Sequence, residues 1–145
     1  MPAFPVDQIK SNATIVMKND VRYTIDKPLS GGAGLKPGQV IKNLKITTVD
    51  PKGKPFILEF KPKDKTWDAV IFNPNTFDCL LENICIDAKT GTRGVNVQGT
   101  RLRINKLNTT DQCHCAVFLN GATDTIIENC TQHTVVPVGF FYSTG

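Results

Sequence analysis

Four short segments of the chain share one order of side chains, apolar-polar-polar-apolar. They are Ile41-Lys42-Asn43-Leu44-Lys45-Ile46, Leu81-Glu82-Asn83-Ile84-Cys85-Ile86, Ile104-Asn105-Lys106-Leu107-Asn108-Thr109 and Ile127-Glu128-Asn129-Cys130-Thr131-Gln132. Leu81 to Ile104 is 23 residues, and Ile104 to Ile127 is 23 again. A second set keeps step: Val70-Ile71-Phe72-Asn73, Val95-Asn96-Val97-Gln98, Val117-Phe118-Leu119-Asn120 and Phe140-Phe141-Tyr142-Ser143. Their first residues are spaced by 25, 22 and 23. Gly99 and Gly121 follow two of them, where the chain must turn. Two strand-like registers on one common period point to a repeat architecture.

The residues within each unit favour strand over helix. They are rich in Val, Ile, Thr and Phe, alternate with period two, and are punctuated by Gly, Asn, Asp and Pro. A pair of strands with turns every ~23 residues predicts one rung of a solenoid, with equivalent residues stacked about 4.8 Å apart. Val70, Val95, Val117 and Phe140 are then one interior stack. Leu81, Ile104 and Ile127 are another, with Ile84, Leu107 and Cys130 beside it.

These units resemble the right-handed parallel β-helix, the pectate-lyase-like superfamily found in pectinases, alginate-modifying enzymes and bacteriophage tailspikes. The likeness is carried by Val117-Phe-Leu-Asn-Gly121 followed by Ile126-Ile-Glu-Asn-Cys130. It covers residues 69–145 well and reaches back loosely to Val21-Arg-Tyr-Thr-Ile-Asp-Lys-Pro-Leu29, which is similar to an entry strand. It implies a fold and no particular chemistry. The expected fold is all-β: a short right-handed parallel β-helix solenoid with an extended N-terminal arm and a projecting hairpin.

Residues 1–20, with little periodicity beyond Ile15-Val16-Met17, are expected to be the arm, with Phe4, Ile9 and Ile15 gripping a partner. The β-helix domain is expected over 21–145, with a flexible loop at 31–38, a hairpin at 46–60 in an irregular first rung, and regular rungs over 69–145. Pro51-Lys52-Gly53 is the turn signal for the hairpin. Phe56, Leu58 and Phe60 share one face, and Trp67 is expected to be a core lid. The last rung, with Phe140, Phe141 and Tyr142, is expected to lie uncovered and to meet another copy or another protein.

Composition narrows the class. The chain has 145 residues, is 40% apolar and 21% charged, and its mean hydropathy is −0.16. No apolar stretch approaches the ~20 residues of a membrane span, so no membrane partner is expected. Met1-Pro-Ala-Phe-Pro lacks the basic head and apolar run of a secretory signal, so the expected site of folding is the cytoplasm. The net charge is +4. The densest basic run, Lys52 to Lys65, is broken by Glu59, Asp64 and prolines, and reads as a solvated surface rather than a nucleic-acid patch. Five cysteines, an odd number, argue against a disulfide framework. Cys113-His114-Cys115, with His133 downstream, has the ligand types for zinc but not the usual spacing. The preferred reading is core thiols, with neither metal nor cofactor.

An enzyme on such a scaffold needs clustered acids on an outer face. Glu82 and Glu128 occupy equivalent positions two rungs apart, about 9.6 Å by ladder spacing, marginal for an inverting carboxylate pair. Asn105 stands between them, Asp78 and Asp124 repeat the arrangement four residues earlier, and no arginine is expected beside either glutamate. A repeat aligns such carboxylates automatically, so no catalytic residue is assigned, with Glu82 and Glu128 the runner-up pair. Arg93, Arg101 and Arg103 offer an anion or glycan site, or partners for Asp87 and Asp111. The expectation is therefore a non-catalytic bacteriophage virion component, most like a capsid decoration (cement) protein. The resemblance implies a homotrimer bound to the major capsid protein or another virion protein. A tailspike or fibre component, or a carbohydrate-active protein, is the alternative.

Overall fold

The computed structural model describes residues 1–30, 39–63, 68–89, 92–110, 115–133 and 139–144, with backbone alone at 30, 133 and 139–144. Among them there is no α-helix. Apart from one 3₁₀ turn at Val6–Gln8, the regular structure is β-strand. Every strand pairing among the described residues is parallel. A parallel pair cannot be joined by a two-residue turn, so each ladder joins strands that are distant in sequence.

The largest sheet orders Thr14–Met17, Lys45–Thr48, Leu80–Ala88, Arg103–Thr110 and Ile126–Glu128. Phe56–Phe60 and Thr131–His133 pair with the second halves of the two long strands, and Arg22–Thr24 pairs with Phe56–Phe60. A second sheet orders Leu29–Ser30, Asp68–Phe72, Arg93–Val97, Cys115–Asn120 and Gly139–Thr144. Between the two lies a narrow ladder of Ile41–Lys42 and Thr76–Phe77, continued by bridges from Phe77 to Thr100 and Thr100 to Thr123. From residue 68 to 133 the chain visits the same places in the same order three times.

Corners are marked by backbone conformation. Asn83 and Lys106, inside the long strands, have φ of 60° and 57°, and the equivalent Asp20 and Asn129 have 59° and 56°. A second column, Asn12, Asn43, Asp78, Arg101 and Asp124, is also left-handed, at 50° to 64°. Asn and Asp tolerate this region better than other side chains, which accounts for most of these positions. Glycine serves where backbones approach: a Cβ on Gly99 would lie 2.3 Å from Thr76 Oγ1, and one on Gly94 2.4 Å from the Ala116 carbonyl.

The core is built from in-register columns. Ile15, Ile46, Leu81, Ile104 and Ile127 lie over one another in the largest sheet. Ile46, Leu81 and Ile104 are at most 2% exposed. Val70, Val95 and Val117 form the expected column in the second sheet. Its next member is Phe141, not Phe140: Val117 pairs with Phe141 and Cys115 with Gly139. The 134–138 segment between repeats lies outside the described residues, and the spacing from Val117 is 24 rather than 23. The first repeat is also out of phase. Ile41 pairs with Thr76, and Ile46, five residues later, takes the Leu81 position.

Two expected features are corrected. Residues 46–60 form no hairpin: Lys45–Thr48 and Phe56–Phe60 pair with successive halves of Leu80–Ala88. The intervening 49–55 loop stands where Asn83 alone turns the next corner. Phe56, Leu58 and Phe60 do share a face, fully buried. Nor are residues 1–20 an arm. Thr14–Met17 is a strand of the largest sheet, and Ala3 forms a parallel bridge to Thr24 at the edge of Arg22–Thr24 (Phe4 N to Thr24 O 2.9 Å; Thr24 N to Pro2 O 2.9 Å). Phe4 is 3% exposed and its ring lies 6.3 Å from that of Phe56, with Tyr23 edge-on to Phe56 at 6.1 Å. Ile15 is buried in its column and Ile9 packs against the core. These three side chains face inward because burying them removes apolar surface that an arm would expose. Trp67, Asp111, Cys113 and His114 lie outside the described residues.

Candidate functional site

On the outer face of the largest sheet, Thr47, Glu82, Asn105 and Glu128 form one column, because they alternate with the buried Ile46, Leu81 and Ile104 and the partly buried Ile127. Adjacent side chains bond to each other. Glu82 accepts from Thr47 Oγ1 at 2.8 Å and from Asn105 Nδ2 at 3.1 Å, and Asn105 Oδ1 accepts from Asn129 Nδ2 at 2.9 Å. Glu128 is held by Arg103, whose Nε donates at 2.8 Å and whose Nη2 also donates. An arginine therefore does stand beside a glutamate, contrary to expectation: Arg103 and Ile126 are register partners, which brings the guanidinium within reach of Glu128. The space between Glu82 and Glu128 is filled by an amide bonded to the first of them.

The three arginines do not form one open site. Arg93 donates bidentately to Asp68 (2.6 and 3.1 Å), and its guanidinium lies 4.2 Å over the Phe118 ring on the second sheet. Asn96 also donates to Asp68, at 3.3 Å. Arg101 donates to Asp78 at 2.7 and 3.1 Å in the narrow ladder, and this bond holds the Asp78 carboxyl below its ordinary range. Arg93, Arg101 and Arg103 each bond a carboxylate one repeat away, Asp68, Asp78 and Glu128 respectively, and Asp87 is engaged elsewhere.

A further charged group was not visible in the periodicity. Glu59 and Asp87 are register partners on the outer face. Arg22 reaches both, at 3.6 Å and 2.5 Å, and Lys61 reaches both, at 3.8 Å and 3.3 Å. The bond to Asp87 is the leading reason that the Arg22 guanidinium is pushed still higher. The signal was present: Phe56, Leu58 and Phe60 alternate like Ile84, Ile86 and Ala88, which sets Glu59 against Asp87. The Pro51-Lys52-Gly53 turn signal obscures it, because a local turn would pair Phe56–Phe60 with the preceding strand instead.

The cysteines are free at 79, 85, 115 and 130. Burial pushes all four thiols up, Cys115 to about 11. Such thiols are poor nucleophiles and poor metal ligands at neutral pH. Among the described residues no three His, Cys, Asp or Glu side chains gather as a metal set, and no helix is long and apolar enough to cross a membrane.

No family model, curated protein or solved structure matches this chain. The reading of the site rests on its own geometry.

Proposed function

We propose that the chain is a short right-handed parallel β-helix with a mechanical role, a non-catalytic component of a larger assembly. Following the resemblance, its specific form is a bacteriophage capsid decoration (cement) protein, a homotrimer on the major capsid protein or another protein of the virion. One observation carries the mechanical reading: the polar side chains best placed for chemistry bond to side chains one repeat away. Glu82 to Asn105, Glu128 to Arg103, Arg93 to Asp68 and Arg101 to Asp78 tie neighbouring repeats together. Aligned polar ladders of this kind hold stacked units in register.

A carbohydrate-active role is the second reading, favoured by Glu59 and Asp87. Their backbones are one ladder step apart, about 4.8 Å, close enough to bring two carboxyl groups to the ~5–5.5 Å of a retaining pair. Arg22 and Lys61 neutralise both, which suits an ion-pair network better than a nucleophile and an acid.

Two measurements separate the readings. Light scattering on the purified chain is expected to give a stable oligomer, and mass spectrometry of gradient-purified particles from the source culture is expected to find the chain at structural copy number. A monomer that degrades acidic polysaccharide, and loses that activity on Glu59→Gln or Asp87→Asn, would overturn the mechanical reading.

A further inference from the structure

The 49–55 loop is held more firmly than a surface connection requires. The Asn19 amide donates to the carbonyls of Asp50 (2.8 Å) and Lys54 (2.7 Å), and its oxygen accepts from Asp50 N at 3.0 Å. From the other side, Asn83 Nδ2 donates to the carbonyls of Gly53 (3.1 Å) and Lys54 (3.2 Å), and Lys106 Nζ to that of Pro51 (3.1 Å). Within the loop, Asp50 accepts from the backbone N–H groups of Lys52 and Gly53. These bonds leave Val49, 70% exposed, with Pro51, Lys52 and Lys54 facing solvent. The loop is a preorganised knob with an apolar tip and two ammonium groups, and preorganisation lowers the cost of docking. Its carbonyls are already engaged, so it offers few acceptors for sugar hydroxyls. What it offers matches an apolar surface with a carboxylate at its edge.

Such a surface lies on this chain. Leu119, Ala122, Asp124, Thr125 and Ile127 line a concavity of about 460 Å³. Val97 and Ile104, the register partners of Leu119 and Ile127, are fully buried, whereas Leu119 and Ile127 are only partly so. Ile126 stands 57% exposed beside them, and Asp124 is exposed at the rim. Packing is also incomplete in the same repeat, where both amide atoms of Gln132 are buried without a partner.

We propose that the 49–55 loop of one copy seats in this concavity on a second copy. Val49 and Pro51 enter against Leu119, Ala122 and Ile127, and Lys52 and Lys54 meet Asp124. The proposal rests on the assembly reading and names the surfaces that would join the copies. Lys54 faces Asp20 of its own chain at 3.6 Å, with both side chains mostly in water, so that contact yields readily to a closer partner. The contact is heterologous, a different patch on each copy, and so closes into a ring or runs on as a filament.

The test is a charge swap followed by sedimentation velocity at low and high salt. Lys52→Glu with Lys54→Glu, and separately Asp124→Lys, are each expected to weaken self-association about tenfold or more. Circular dichroism should be unchanged, because all three positions are exposed. Mixing the two variants is expected to restore association, since each altered patch then meets a complementary one. A wild type that associates while both variants assemble unchanged, or variants that dissociate and fail to rescue each other, would overturn the proposed surface and leave the assembly reading standing. A wild type that stays monomeric at every concentration would overturn both.

Discussion

Asn83 fills a corner that few side chains can fill. Its backbone is left-handed at φ 60°, it is 3% exposed, and its amide donates to Thr48 Oγ1 at 2.8 Å and to the carbonyls of the 49–55 loop. Alanine there loses the bonds and meets the left-handed penalty, while glycine loses the bonds alone. Urea unfolding is expected to show Asn83→Ala destabilised by about 2–4 kcal/mol and Asn83→Gly by roughly 1 kcal/mol less. The asparagine was legible as the polar position of a repeat, but its corner role was not, because Lys106 holds the same conformation one repeat on. The buried thiols were legible as core residues, since Cys130 stands where Ile84 and Leu107 stand. Their raised pKa has a sign. The folded state binds the proton more tightly than the unfolded chain, so the stabilisation is complete below the ordinary thiol pKa near 9 and is lost as pH rises towards about 11. Unfolding midpoints should therefore fall over that window, and less so in Cys115→Ala.

At the level of strands and columns, the periodicity foretold the register from Val70 to Ile127, and failed in the first repeat and again at Phe141. Ile104 over Leu81 and under Ile127 follows from equal spacing, and Val95 between Val70 and Val117 from the matching side-chain pattern at spacings of 25 and 22. Equal spacing fails where an insertion enlarges a corner. The 49–55 loop replaces a single residue, breaks the period, and mimics a hairpin through its Pro-Lys-Gly signal, since turn chemistry is local and says nothing of strand direction. The N-terminal residues misled for another reason: a short strand such as Thr14–Met17 has too few alternations to stand out. Columns also carry unequal weight along their length. Ile104→Ala, between two neighbours and fully buried, should cost about 2–5 kcal/mol, while Ile127→Ala, partly exposed, should cost less than about 1.5 kcal/mol. Chemical denaturation of the two variants checks the order, and equal losses would count against stacked columns.

Across the whole molecule, the candidate site was half legible. Alignment of Glu82, Asn105 and Glu128 followed from the repeat, but the Arg103 partner and the Arg22, Glu59, Lys61 and Asp87 network did not, because they depend on side-chain reach across turns and on the misread first repeat. If these ladders are structural, Glu82→Gln and Glu128→Gln should leave the oligomer mass unchanged and shift stability by no more than about 1 kcal/mol, as for exposed polar pairs. Light scattering with thermal melts would detect a departure. The reading of the protein as a scaffold whose polar groups serve its own stacking depends on distant strands lying parallel and in register. Amide–amide nuclear Overhauser contacts in perdeuterated protein test this most directly. The Ile104 amide is expected to show contacts to both the Leu81 and the Ile127 strands, advancing one residue at a time in the same direction. Contacts running in opposite directions between 45–48 and 56–60, with none from Ile104 to Leu81, would contradict the account.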